Sequence, residues 1–537
     1  MEPLISRRYT KVRELGTGAQ GSVTLVADKY RGGRLLALKT LIPHSDAEWL
    51  TLFKREFEVL AQLKHPRLAR VYDFGALSDG RAYFTRDFVG GADLGERTSG
   101  MDVLGLVAAA VEICRALSPL HRCGLVHGDL KPGNVIVGGD GVAHLIDFSF
   151  VRSSGSGGDG RGTLQYIAPE VLEERSADAR ADLYSLGAML YEAASGEPLF
   201  EGTAREIAAG HLGDARPDPK PGRVAVRGGA AESIWRGLAA VISRLVARRP
   251  EARFPSVEEV EAALTAIAPA AIAKDPIAEI PALPSAAGRE AETRRVREQV
   301  LGRLSVPKGR GALYVVQGEV GAGKSAVLAD VKWHAQLSGF ATVEAVCSRG
   351  GGTVAPIIAL AEQIADLQAG DTPDAARAEA LVESLRSLAA GRAELDAIAV
   401  GLGRAAARAA RERPLLVLVD DLDQAPDETA ALLRGLVAEA GADAPLAILV
   451  ACRAGHAWKE RLGRGVGVAL PLLDRAGVRS LATSYFGTVS DDKVDRILAH
   501  TGGNPLFVGS LLSEVAKAGG GLERLERLGP PVELGEY

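Results

Sequence analysis

The chain has 537 residues, too long for one compact core at about 100–200 residues per domain, so about two to four domains are expected. Apolar residues make up 47% and charged residues 24%, which excludes a disordered or collagen-like chain. A formal charge of −5 excludes a broad nucleic-acid-binding face, because neutralising phosphates needs clustered Lys and Arg.

Cys114, Cys123, Cys347 and Cys452 show no C-x-x-C spacing and no flanking His cluster. They read as four reduced thiols of a cytoplasmic protein rather than a disulfide framework or zinc site. The first residues, MEPLISRRYTKV, hold no apolar core of a secretory signal. The most apolar stretch, residues 103–120, is broken by Glu112 and Arg115 and repeats with helical spacing. It predicts a buried soluble helix, and no membrane partner is expected.

In chain order, residues 9–88 read as short β-branched and apolar runs between Gly-rich turns, interrupted by one amphipathic helix over 46–64. Residues 89–267 are mostly helical with a Gly-rich break at 152–163. The Ala/Pro-rich stretch 268–287 carries Pro269, Pro276, Pro281 and Pro284 and predicts an extended linker. Beyond it, apolar runs at 312–318, 341–347, 414–421 and 446–452 alternate with helical segments. That texture predicts a parallel sheet covered on both faces, over 288–475, while TGGNPLFV (501–508), within 476–519, resembles the motif of a helical lid. Residues 372–412, rich in Ala, Arg and Glu, predict solvated helices. The tail 520–537 ends without a capping element and reads as truncated.

Two motif sets carry chemistry. In the first, GTGAQGSV (16–23) is a weak signal alone, since the same glycines open dinucleotide folds. A dinucleotide loop would feed a helix, whereas SVTLVAD reads as a strand, so Gly16, Gly18, Gly21 and Val23 predict a β-hairpin folded over phosphates. Lys39, on the strand LALK, suits the α- and β-phosphates, with Glu56 of the following helix to orient it. HGDLKPGN (127–134) supplies Asp129 as proton acceptor for an attacking hydroxyl and Asn134 as a Mg²⁺ ligand; DFS supplies Asp147 for the bridging Mg²⁺. GTLQYIAPE (162–170), Asp182 and Arg253 follow in order.

With these motifs in this order, residues 1–267 resemble a bacterial eukaryotic-type Ser/Thr protein kinase. The resemblance implies a bilobal fold, lobes at 9–88 and 89–267, ATP with Mg²⁺ (or Mn²⁺), and protein substrates phosphorylated on Ser or Thr. It implies that Lys131 follows the Ser/Thr-specific pattern, that Asp182 braces the catalytic loop, and that Glu170 and Arg253 form a structural ion pair. Three positions depart from the family. Gly128 replaces the Arg of H-R-D, which makes this a non-RD sequence without the cation that meets an activation-loop phosphate. Ser149 replaces the Gly after Asp147-Phe148. Arg86 stands where an apolar residue is usual behind the adenine, and is expected to point outward or pair with Asp87. Ser153, Ser154 and Ser156 are candidate autophosphorylation sites, and Thr163 is expected to shape the substrate-binding loop.

In the second set, GEVGAGKS (318–325) matches the phosphate-cradling P-loop between a strand and a helix. Gly318, Gly321 and Gly323 bring backbone N–H groups to the phosphates, Lys324 reaches the β/γ oxygens, and Ser325 meets Mg²⁺. Asp420 and Asp421 end an apolar strand, the first suited to the Mg²⁺ shell and the second to polarising water. SAAGREAE (285–292) and TGGNPLFV (501–508) resemble motifs of signal-transduction ATPases of the STAND branch of AAA-like P-loop proteins. That resemblance implies a nucleotide-sensing Arg453, Gly503 and Pro505 packed on the adenine, ATP or ADP at this second site, and self-association through the ATPase.

The fold class expected is thus multidomain: an α+β kinase followed by an α/β P-loop module. The function expected is a kinase under control of the ATPase. The alternative is a pseudokinase scaffold whose ATPase controls assembly or transcription.

Overall fold

The computed structural model describes residues 7–18, 21–42, 47–98, 100–157, 162–272, 283–284, 287–306, 311–348, 355–368, 373–386, 392–439, 444–486 and 488–517. Most of the expected linker and all of the expected tail lie outside them.

By compactness the chain divides into two units that do not follow chain order. The first takes residues 1–40, 72–85 and 284–537; the second takes 41–71 and 86–283. Within the first unit, strands of the N-terminal sheet meet the P-loop module through a partly buried network of charges.

In the first unit, β1 (Tyr9–Gly18) and β2 (Gly21–Asp28) pair antiparallel up to Gly18 opposite Gly21. The glycine-rich segment is thus a hairpin and feeds no helix. With β3 (Arg34–Leu41), β4 (Val71–Ala76) and β5 (Ala82–Asp87), they form a sheet in the order β1-β2-β3-β5-β4. Tyr9, Val26, Leu36, Leu38 and Tyr72 pack into its apolar core. The expected helix over 46–64 is α1 (Ala47–Gln62), which buries Phe53, Glu56, Phe57 and Leu60.

The second unit is built around α2 (Val103–Arg122), started by Asp102, whose side chain accepts from the Gly105 N–H. Among the described residues this helix alone is long and apolar enough to cross a membrane, yet its apolar residues are buried within the unit. It packs on α3 (Ala179–Ser195), α4 (Gly229–Leu245) and α5 (Val257–Ile267).

The P-loop module holds five parallel strands: β6 (Ala312–Gly318), β7 (Ala341–Val346), β8 (Leu415–Asp420), β9 (Leu446–Arg453) and β10 (Val466–Ala469). Their order is β7-β8-β9-β6-β10. Four are the apolar runs of the sequence. The fifth was not anticipated: it is a four-residue edge strand with three of its residues exposed. In a sheet of this kind ligands gather beyond the carboxyl ends of the strands, where Gly318, Asp420 and Arg453 stand. The helix α6 (Lys324–Leu337) leaves the P-loop directly.

The helices within 372–412 correct the sequence reading. Helix Arg392–Glu412 buries Leu402, Ala405, Ala406, Ala409 and Ala410 in the module core. It packs so closely on helix Asp427–Glu439 that a Cβ on Gly435 would come within 2.9 Å of the Ala399 backbone. An Ala stripe gives little hydropathy contrast, yet it permits helices to approach where larger side chains would hold them apart.

Candidate functional site

The residues of the first motif set fall into two halves, one in each unit. In the first unit, Gly16 and Gly18 end β1, Gly21 and Val23 open β2, and Lys39 lies on β3. Lys39 is buried, its ammonium 5.9 Å from the centroid of the Phe84 ring.

In the second unit, Asp129, Lys131, Asn134 and Thr163 converge. Asp129 Oδ2 accepts from Lys131 Nζ at 2.6 Å, while Oδ1 accepts from the Thr163 N–H at 2.7 Å and its hydroxyl at 2.8 Å. The Asn134 side-chain amide donates to the Asp129 carbonyl at 2.8 Å and to Oδ2 at 3.2 Å. Its Nδ2 is thereby committed and its oxygen is the atom suited to a cation. Beneath the loop, Asp182 accepts from the N–H groups of His127 (2.7 Å) and Gly128 (3.0 Å) and from His121 Nε2 (2.8 Å). Burial alone would raise the Asp182 carboxyl; the His121 hydrogen bond, the charges of His121 and His127 and the Gly128 amide hold it below the usual carboxylate range.

Gly128 is more than a missing cation. Its φ is +80°, and a Cβ there would lie 2.5 Å from the Phe150 carbonyl oxygen. The backbone thus demands glycine at this place.

Ser149 also gains a role that glycine cannot fill. Its hydroxyl lies 2.9 Å from Glu56 Oε2 and 2.6 Å from Asp147 Oδ1, and its N–H donates to the same Asp147 oxygen at 3.1 Å. A second link runs from the Phe148 N–H to Glu56 Oε1 at 3.4 Å. The serine therefore ties α1 to the Asp147 segment. Ser149→Ala is expected to speed amide exchange at the Phe148 N–H about ten-fold, the scale of a hydrogen bond to a charged group; unchanged exchange would show the hydroxyl to be dispensable.

Arg86 does not point outward. It is 5% exposed, with its Nε unpartnered among the described residues, and Asp147 and Glu56 act on it more strongly than the anticipated Asp87. Burial lowers its pKa and those three carboxylates oppose the shift. Glu170 and Arg253 form the expected bidentate pair, at 2.7 and 2.8 Å. Ser153 belongs to a two-residue pairing of Arg152–Ser153 with Leu125–Val126, and Ser154 follows it. Part of the Gly-rich loop, 158–161, is outside the described residues.

The second motif set forms a cleft of about 420 Å³ lined by Gly321, Gly323, Lys324, Ser325, Asp421, Arg453 and Pro505. Lys324 Nζ donates to the carbonyls of Gly318 (3.0 Å) and Glu319 (2.9 Å). Asp421 adopts a left-handed φ of 53°, uncommon outside glycine. Burial, then Asp420 and Asp423, push its carboxyl up against the opposing pull of Lys324 and Arg453. Asp420 Oδ1 accepts the Asp421 N–H at 2.9 Å.

Sequence reading missed two residues here. Asp423 holds Arg453 at 2.9 Å. Asn504 donates to the Val320 carbonyl of the P-loop at 2.8 Å, joining lid to loop. Asn504 sits inside the quoted TGGNPLFV stretch, but its partner was not legible. In the lid, Gly503 has φ +75°, and a Cβ there would meet the Leu473 carbonyl at 2.2 Å.

No group of three or more His, Cys, Asp or Glu suited to a metal occurs among the described residues. The oxygens of Asn134 with Asp147, and of Ser325 with Asp420, fit Mg²⁺, which binds through one or two side chains and completes its shell with nucleotide phosphates and water.

Comparison with known proteins agrees with this geometry. Residues 9–262 match the family model of the protein kinase domain and residues 285–450 that of the AAA ATPase domain. The serine/threonine-protein kinase PknE of Mycobacterium tuberculosis is 32% identical over 265 residues, covering 48% of this chain and 45% of that protein. The serine/threonine-protein kinase PknB of the same organism is 32% identical over 279 residues, covering 49% and 43%. The chain thus spans less than half the length of these relatives. It carries a protein kinase domain followed by an AAA ATPase domain whose sheet is parallel.

Proposed function

We propose that this chain is a non-RD Ser/Thr protein kinase, and that its ATPase is a nucleotide-dependent regulator of the kinase. The observation that carries the first part is the convergence of Lys131, Thr163 and Asn134 on Asp129. A carboxylate so held is fixed in place, and an incoming hydroxyl takes over the position of the Thr163 hydroxyl on Oδ1, the positioning that phosphoryl transfer requires. In this reading Asp129 accepts the hydroxyl proton and Lys131 neutralises charge beside it. Asn134 and Asp147 would hold Mg²⁺, which would neutralise charge on the phosphates. Lys39, with the hairpin of Gly16, Gly18, Gly21 and Val23, holds the nucleotide, and Glu56 orients Lys39.

In the ATPase, Gly318, Gly321, Gly323, Lys324 and Ser325 cradle the phosphates, Asp420 serves the metal shell, and Asp421, with its raised pKa, accepts a proton from water. Arg453 senses the nucleotide and Pro505 covers its base. The domain limits that go with this reading are 1–267, 288–475 and 476–519, and a need for ATP at two sites places the work in the cytoplasm. Self-association through the ATPase belongs to the same reading. A nucleotide-controlled scaffold is the second reading, favoured by the buried Arg86 beside Asp147 and Glu56.

One experiment separates them. The full chain with Mg²⁺ and γ-labelled ATP is expected to label itself or an added protein, and Asp129→Asn to remove the label. Equal labelling of both, or of neither, refutes the active kinase. In parallel, Lys324→Ala is expected to abolish retention of nucleotide by the P-loop; unchanged retention refutes that assignment.

A further inference from the structure

A buried cluster of charge in the first unit serves neither nucleotide site. It lies where β4 of the glycine-loop sheet meets α6 and β7 of the ATPase. Asp73, on β4, is 2% exposed. Lys332 Nζ of α6 is 2.7 Å from its Oδ1 and 2.9 Å from Glu344 of β7. Gln336, one turn on, donates to the same Asp73 oxygen at 3.0 Å and to Thr342 at 2.9 Å. From the kinase side, Arg8 reaches Asp73 Oδ2 at 2.8 Å and clamps Asp28 through two bonds, while Arg31 reaches Glu344 at 2.8 Å. Tyr30 adds a hydrogen bond to Asp366. Burial alone would raise the Asp73 carboxyl, but Arg8, Lys332 and Arg31 outweigh it and hold it well below the usual carboxylate range.

Three features set this apart from a chance meeting of surfaces. Three carboxylates (Asp28, Asp73, Glu344) face three cations (Arg8, Arg31, Lys332), so no charge enters the interior uncompensated. β4 is an edge strand, and edge strands need cover. The cover here is specific, because the Phe74 N–H donates to the Gln336 side-chain carbonyl at 3.0 Å. Finally, α6 begins at Lys324 and Ser325, so one helix carries the P-loop at its start and the kinase contact about two to three turns later.

We infer that the glycine-loop sheet is a docking surface for the ATPase of the same chain, and that α6 conveys the occupancy of the P-loop to that sheet. This rests on the reading of the ATPase as a regulator. A rigid helix with a ligand at one end and a buried ion pair at the other shifts both ends together. A nucleotide that favours one position of α6 therefore favours one setting of the loop over the kinase phosphates.

The test compares the full chain with Lys324→Ala, Lys332→Met and the double variant, reading initial rates of kinase labelling and P-loop retention of nucleotide. Lys332→Met keeps the aliphatic stem and removes the charge. Lys324→Ala is expected to change the kinase rate about five-fold or more, and in the Lys332→Met background that change is expected to vanish. The same fold-change in both backgrounds overturns the inference while leaving the regulator intact. Loss of P-loop nucleotide with no change of rate in either background overturns the regulator and the inference with it. Gln336→Leu gives an independent check: amide exchange in the peptide holding Phe74 is expected to speed up, and unchanged exchange overturns the docking itself.

Discussion

On the proposed kinase reading, Gly128→Arg is expected to lower phosphotransfer about 100-fold and to restore no control by an activation-loop phosphate. The Arg would re-create the H-R-D pattern in sequence, but its Cβ must occupy space 2.5 Å from the Phe150 carbonyl oxygen, at a φ of +80°. A non-glycine residue there costs about 1–3 kcal/mol in backbone conformation alone. Relief requires moving residue 128 or the turn at Phe150. Either movement disturbs the Gly128 amide on Asp182 and the neighbouring Asp129, and a displacement of about 1 Å at a reacting group is worth about 100-fold. Gly128→Ala separates the causes: it carries the Cβ without the guanidinium and is expected to lose comparable activity. Initial rates of labelling by the full chain decide it. An active Ala variant would return the whole effect to charge.

Arg253→Ala is expected to cost about 3–5 kcal/mol of stability, the scale for stranding one member of a buried ion pair. Arg253 is 2% exposed and bidentate to Glu170. It also donates to the carbonyls of Ala247, Arg180 and Arg248, so its loss leaves several buried acceptors unmet. The measurement is the urea midpoint of the transition that reports the kinase C-terminal region. Replacing both members by Met is expected to cost less than the sum of the single changes, since no lone charge is left behind. Additive losses would mean that the pair acts only through its contacts with the backbone.

Much of this was legible in the sequence because catalysis fixes residue types at fixed spacings. The P-loop, the Asp129 loop and four of five strands in the ATPase sheet announce themselves that way. What stayed hidden has physical reasons. Val466–Ala469 is short and mostly exposed, so it carries no apolar run. The helix at 392–412 packs through Ala, whose small side chain marks neither a core nor a surface face. The environment of Arg86 depends on Glu56 and Asp147, about 30 and 60 positions away in chain order, which no local pattern encodes. The role of Ser149 stayed hidden, since only folding brings Glu56 to its hydroxyl. Asp73 belongs to no motif at all.

The Asp73 contact has a consequence for how strong such a join must be. Both faces belong to one polypeptide, so the local concentration of each around the other is set by the chain and reaches about the millimolar range for a short tether. A surface of a few ion pairs, too weak to hold two separate proteins at cellular dilution, then stays closed most of the time. The same modesty leaves it easy to open. An advantage of a few kcal/mol at the P-loop suffices to shift a balance this fine, whereas a large apolar seam would lock it. Joining the two domains in one chain therefore lets a small polar contact work as a reversible latch.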